Sequence, residues 1–249
     1  MFPILQLGPL AVQLPGLFLL VGVWISIWLI DRVAPKHEVS AGTLSNMVFL
    51  GLVAGILSAR LWYALRYLDV YLGAPLSLLS LNLSTLAPLE GALTGLFVAW
   101  IYGQRKGLGL WPTLDALTPS FAVMSVAIGF ANLASGDAFG AASEVPWSIE
   151  LWGARRHPSQ IYEILLGVVV FFAVWRIKRV KLPPGILFFA WIAVAAASHI
   201  FLEAFRGDSI IIFGAFRAAQ ILGLLVLLGS MWGLHNLSTR NVSSAQEGS

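Results

Sequence analysis

The 249-residue sequence contains no cysteine, which excludes disulfides, a thiolate nucleophile and cysteine-ligated zinc. It also has little charge: 11% of its residues are Asp, Glu, Lys or Arg, whereas 58% are apolar. So few charges cannot cover a soluble domain of this length. Its four His residues are scattered and supply no metal cluster, and nothing in the sequence asks for a cofactor. Neither G-x-G-x-x-G nor G-x-x-x-x-G-K-[ST] occurs, and there is no repeat of fixed period. The net charge of +3 comes from 15 basic residues spread thinly between apolar blocks. They form no stripe able to follow a phosphate backbone, so nucleic acid is excluded as a partner. No Lys or Arg precedes Arg32, so the basic n-region of a secretory signal is missing and the first apolar block is expected to remain as a membrane helix.

What the sequence does have is apolar runs near the length of a bilayer span. Seven are expected, at about 10–30, 46–67, 87–104, 113–133, 160–176, 184–205 and 215–235. The fold expected is therefore all-α: a polytopic integral membrane protein of about seven transmembrane helices, forming one domain over 1–235. The polar tail 236–249 is expected to be disordered and cytoplasmic. The second, third and fourth spans hold Arg60, Glu90 and Asp115, and each such charge must face protein or water.

Orientation follows from the basic residues between spans. Arg32, Lys36, Arg105, Lys106, Arg176, Lys178, Arg179, Lys181 and Arg240 fall on one side, and Arg66, Arg155, Arg156, Arg206 and Arg217 on the other. The larger group marks the cytoplasm, which leaves the N-terminus outside and the C-terminus inside.

Three polar groups interrupt the apolar background. In His157-Pro158-Ser159-Gln160-Ile161-Tyr162-Glu163, a Pro opens the fifth span and polar residues continue for a turn, with Gln160 and Glu163 on one face. Burying an amide and a carboxylate costs free energy unless both are hydrogen-bonded, and a helix cap needs fewer polar groups than this. On the sixth span, His199, Glu203 and Arg206 are spaced four and three apart and line one side. The plain reading is a Glu203–Arg206 ion pair; the functional one is a site for an anionic headgroup on the planar fork of Arg206. The third group, 132–140, is a glycine-punctuated end to the fourth span, where glycine can either stop the helix or let backbone approach a ligand.

These residues resemble the phosphatidylglycerol:prolipoprotein diacylglyceryl transferase family. His157 to Glu163 matches its H-P-S-Q-[LI]-Y-E run, and 132–140 is similar to the second part of its G-R-[IL]-G-N-F-[IL]-N-G-E-L-[YW]-G signature. Asp115 and Pro119 resemble D-x-x-A-P, Ala59-Arg60-Leu61 resembles G-x-R-L-G-Y, and Glu203 with Arg206 resembles R-x-x-x-E-x-x-R. The resemblance implies transfer of a diacylglyceryl group from phosphatidylglycerol to the lipobox cysteine of a prolipoprotein signal peptide, in the bacterial inner membrane. It also implies Arg60 and Arg206 as counter-charges to phosphate, Asn132, Asp137 and Gly140 near the headgroup, and His157, Gln160, Tyr162, Glu163 and Glu203 around the cavity.

The sequence departs from that pattern at several places. Gly129 stands at the signature Arg, Ser135 and Asp137 at its second Asn and Glu, and His199 at the first Arg of the sixth-span pattern. Glu90 aligns with the His of the family's H-G-G run and Pro15 with the Tyr of R-W-Y-G. Glu90 or His199 is accordingly the expected proton-transfer group, and His157 is expected beside them among the catalytic residues. The alternative is a non-catalytic or redirected relative binding lipid in the same cavity.

Overall fold

The computed structural model describes residues 4–7, 10–79, 82–177, 182–212, 214 and 216–247. Lys178, Arg179 and Lys181, used above for orientation, lie outside the described residues. The helices are α1 (Leu14–Val33), α2 (Ala41–Arg66), the short α3 (Leu68–Gly73), α4 (Pro88–Arg105), α5 (Leu110–Ser135), α6 (Ser159–Ile177), α7 (Ile186–Glu203) and α8 (Ala218–Glu247). Three antiparallel hairpins accompany them: β1 (Ile4–Leu7) with β2 (Leu10–Gln13), β3 (Ile149–Leu151) with β4 (Ala154–Arg156), and β5 (Ile211–Ile212) with β6 (Phe216–Arg217). The hairpins are additions to the all-α expectation. The first of them takes Leu10–Gln13 from the start of the first expected span, so that α1 begins at Leu14.

Six helices, α1, α2, α5, α6, α7 and α8, are long and apolar enough to cross a membrane. The seventh expected span, α4, has 18 residues, but Glu90 at one end and Gln104 and Arg105 at the other dilute its apolar middle. Large apolar side chains face outward on these helices, Trp24 and Leu96 among them, as suits a lipid environment. The helix of α8 runs on to Glu247. No Gly or Pro occurs between Leu234 and Gly248, and extending a formed helix costs far less than nucleating one.

The chain gathers into two compact units, residues 30–113 and residues 1–29 with 114–249. In the first, α2 and α4 meet along stripes of small residues, Gly51, Gly55 and Ala59 against Gly91, Gly95 and Ala99. A Cβ on Gly95 would lie 2.6 Å from the Gly51 carbonyl oxygen, and one on Gly91 2.6 Å from the Ala59 Cβ. Small residues let helix backbones touch, which is how dispersion holds helices together where no hydrophobic force acts.

In the second unit, α1 and α5 are stitched by two serines. Ser120 Oγ donates to the Ser26 carbonyl at 3.1 Å, and Ser26 Oγ returns a bond to the Ser120 carbonyl at 3.4 Å. Asp115, 2% exposed, accepts backbone N–H bonds from Gly185 at 2.6 Å and Phe188 at 2.8 Å. It thus caps the N-terminus of α7 from 70 residues away, where a negative charge meets the positive end of the helix dipole. The opposite end of α7 carries the polar residues.

Candidate functional site

The loop after α5 turns back on itself with Gly136 and Ala138 both at positive φ, +82° and +53°. An alanine there is sterically disfavoured, and two side chains from the start of α6 hold it. Ser159 Oγ donates to the Ala138 carbonyl at 2.6 Å and Gln160 Nε2 to the Asp137 carbonyl at 2.9 Å. Ser and Gln of the H-P-S-Q-I-Y-E run are therefore clamps on the 136–140 loop. Gln160 is fully buried, and its Oε1 has no partner among the described residues. Asp137 meets Gln160 through its backbone, and its side chain is exposed.

Gly140 lies where three segments converge. It forms a bridge with Arg206, the Ala141 N–H donates to the Phe205 carbonyl at 2.8 Å, and the Gly207 N–H donates to the Phe139 carbonyl at 2.9 Å. A Cβ at Gly140 would overlap the His157 carbonyl. Gly140 therefore serves close backbone packing, which fixes His157 and Arg206 beside one another in space. The family resemblance implies a place for it near the headgroup.

Within this frame Asn132 Nδ2 donates to Glu163 Oε2 at 3.1 Å. Trp147 Nε1 donates to Tyr162 Oη at 2.6 Å, and Tyr162 Oη lies 3.4 Å from His157 Nδ1. Phe205 packs edge-on against both rings, at 5.4 Å from His157 and 5.6 Å from Tyr162.

Arg206 is held by two carboxylates. Glu203, 2% exposed, lies 3.6 Å from its Nε, whereas Asp208 takes a bidentate grip, Nε to Oδ1 at 2.9 Å and Nη2 to Oδ2 at 2.8 Å. The Asp208 bond is the main reason the guanidinium pKa is raised, with burial opposing it. Arg206 is a permanent cation. Arg217 Nη1 donates to the Glu203 carbonyl, to the Arg206 carbonyl at 2.9 Å and to Ser209 Oγ at 3.1 Å, tying down the backbone that carries Arg206. A cleft lined by Ala138, Ser159, Glu163, His199, Leu202 and Arg206 opens among these residues.

Of the sequence candidates, His199, Glu163 and Arg206 come together at the cleft, with Glu203 behind Arg206 and with His157, Tyr162, Asn132 and Gln160 around them. Arg60 and Glu90 belong to the other unit. Arg60 is spent on a loop: its Nε donates to the Leu78 carbonyl at 3.0 Å, Nη2 to Ser77 at 2.7 Å and Nη1 to Thr85 at 2.9 Å. Glu90 pairs with Arg66. Gly129, at the place of the signature Arg, faces α6 so closely that a Cβ would lie 2.8 Å from Ile164 Cγ1.

The sequence analysis does not single out Asp208 or the clamping role of Ser159; Asp208, two residues after Arg206, is the one signal in reach. Arg217, counted there among the outer basic residues, lies on a separate strand, and nothing local marks its bonds to the Glu203 and Arg206 carbonyls.

Comparison with known proteins agrees with the motifs. The family model described as prolipoprotein diacylglyceryl transferase matches residues 3–235. The chain is 30% identical over 246 residues to the phosphatidylglycerol–prolipoprotein diacylglyceryl transferase of Solidesulfovibrio magneticus, covering 91% of each protein. It is 28% identical to the enzyme of that name from Thermosynechococcus vestitus, over 94% of this chain and 91% of the relative. With the one from Gloeobacter violaceus it shares 29% identity over 95% and 94%. The order of the motifs, the clamped loop and a match spanning nearly the whole sequence place this chain in the prolipoprotein diacylglyceryl transferase family.

Proposed function

We propose that the protein is a membrane transferase that moves the diacylglyceryl group of phosphatidylglycerol onto the thiol of a lipobox cysteine in a prolipoprotein, in the bacterial inner membrane. The observation that carries this reading is the meeting of Glu163, His199 and Arg206 in one cleft at the end of apolar helices, in a member of this family. In this reading residues 1–235 act as one domain, α4 is the seventh span and the N-terminus is outside, as the basic residues suggest.

The reaction sets two requirements. The cysteine sulfur attacks the glycerol carbon that bears the phosphodiester oxygen; a C–S bond forms as the C–O bond breaks, and the electron pair leaves with glycerol phosphate. The thiol proton needs an acceptor and the departing phosphate needs a cation. His199 takes the proton. Arg206 receives the phosphate, with Glu203 holding its side chain and the clamped 136–140 loop shaping the wall. Asn132 and Glu163 orient the headgroup glycerol hydroxyls, and the Tyr162–His157 pair, with Trp147 holding the phenol in place, supplies a second proton path. Asp137, Gly140 and Gln160 act through the loop they build. Arg60 holds Ser77, Leu78 and Thr85 within its own unit, and Glu90 pairs with Arg66 there.

The test is the rate of transfer in phosphatidylglycerol micelles with a lipobox peptide. Arg206→Ala is expected to lose about 100-fold or more in kcat/KM, the scale of removing one charge-stabilising donor. Full activity of that variant, shown folded, would overturn the site.

A further inference from the structure

Arg206 faces the cleft, yet its side-on edge, Nε with Nη2, is already taken by the two oxygens of Asp208 at 2.9 and 2.8 Å. Two parallel N–H···O bonds to a planar pair of oxygens are also what a phosphate offers a guanidinium, so Asp208 and a phosphate compete for one edge. The other carboxylate differs in kind. Glu203 is 2% exposed and sits farther off, at 3.6 Å, whereas the Asp208 side chain is 26% exposed, like that of Arg206. An ion pair that water reaches is weakly held and readily exchanged; a buried one is not.

A second cation is bonded to the residues on either side of Asp208. Arg217 Nη1 donates to the Arg206 carbonyl at 2.9 Å and to Ser209 Oγ at 3.1 Å, the residues two before and one after Asp208. Its Nε and Nη2 have no partner among the described residues. Gly207, between the two partners, is anchored by its N–H on the Phe139 carbonyl at 2.9 Å, so the backbone stays while the Asp208 side chain turns.

We propose that Asp208 is a built-in competitor for the phosphate seat on Arg206, and that a lipid phosphate enters by passing the Asp208 carboxylate to Arg217. The exchange swaps one anion for another on Arg206, so no bare charge is left at any stage. Asp208 and Arg217 thereby set the affinity for the headgroup. This inference rests on the reading that Arg206 receives the phosphate.

The experiment measures KM for phosphatidylglycerol in mixed micelles for the full-length protein, for Arg206→Ala, Asp208→Asn, Arg217→Gln and for the double variant Asp208→Asn with Arg217→Gln. Asp208→Asn is expected to lower KM by about threefold or more, because the competing anion is gone. Arg217→Gln is expected to raise KM more in the parent than in the Asp208→Asn background, where only the loss of its bonds to the Glu203 and Arg206 carbonyls is felt; that difference is a coupling a merely structural role would not produce. Asp208→Glu, which keeps the charge, should restore the parent KM and serves as the check on folding. If Asp208→Asn raises KM alongside Arg206→Ala, Asp208 only positions Arg206 and the competitor is wrong while the phosphate site stands. If Arg206→Ala leaves KM unchanged, the phosphate is not on Arg206 and both readings fail.

Discussion

Asn132 near the end of α5 and Glu163 in the first turns of α6 are joined by a single bond, Nδ2 to Oε2 at 3.1 Å, although 31 residues separate them. The amide neutralises nothing. It fixes where the carboxylate points, beside His199 and Arg206 in the cleft. In the proposed function a carboxylate next to an arriving phosphate is repulsive unless it is aimed at a hydroxyl, and the Asn132 bond is assigned that aiming.

Asn132→Ala is therefore expected to cost about 10- to 100-fold in kcat/KM, from loss of orientation rather than of charge. Asn132→Asp should be worse, because two carboxylates would then face each other. Transfer rates on folded protein decide this, and an Asn132→Asp variant as active as the parent would count against the assigned role.

Gly129 stands where the family signature has Arg, and Ile164 leaves no room there for even a Cβ. Restoring the signature by Gly129→Arg should destabilise the protein by about 1–3 kcal/mol or more through overpacking, and lower activity with it. Gly129→Arg combined with Ile164→Gly should recover folding. Thermal unfolding in detergent measures both, and a single variant as stable as the parent would contradict the close contact of α5 with α6.

Asp115 caps α7 from a distance and takes no part in the cleft. Asp115→Ala is expected to lower stability by about 1–2 kcal/mol, the scale of a lost N-cap, while KM for lipid in the protein that remains folded is unchanged. A change in KM without a change in stability would reverse that assignment.

For Arg60, the bonds to Ser77, Leu78 and Thr85 make it a staple of the 77–85 segment. Arg60→Ala should loosen that segment by about 2–4 kcal/mol, as expected when several hydrogen bonds from one charged group are lost together. Limited proteolysis should then cut within 77–85 well before the rest of the chain. Unchanged cleavage with lost transfer would instead mark Arg60 as a phosphate ligand.

Helix positions were legible because an apolar run of bilayer length has few other uses. The structured ends differ by a few residues where local signals act: α1 begins at Leu14 with Pro15 in its first turn, and α2 begins after Ser40, whose Oγ accepts the Thr43 N–H. The motif residues were legible as a group, since so many polar side chains in an apolar chain have to meet somewhere. Their division of labour was not. Whether a Gln clamps a loop or binds a ligand depends on Asp137, 23 residues away. Whether an Arg is available depends on carbonyls that no sequence pattern records, as at Arg60. Asp208 was passed over because Glu203 offered Arg206 a partner at helical spacing, whereas the stronger bond comes from the loop beyond the helix end.

The measurement that tests the central claim most directly is mass spectrometry of a lipobox peptide after incubation with the purified protein and phosphatidylglycerol. The expected result is a diacylglyceryl increment on the cysteine thiol, stable to hydroxylamine as a thioether is, with one glycerol phosphate released per adduct and neither product formed by Arg206→Ala. Folded, lipid-bound protein that yields no adduct would contradict the account.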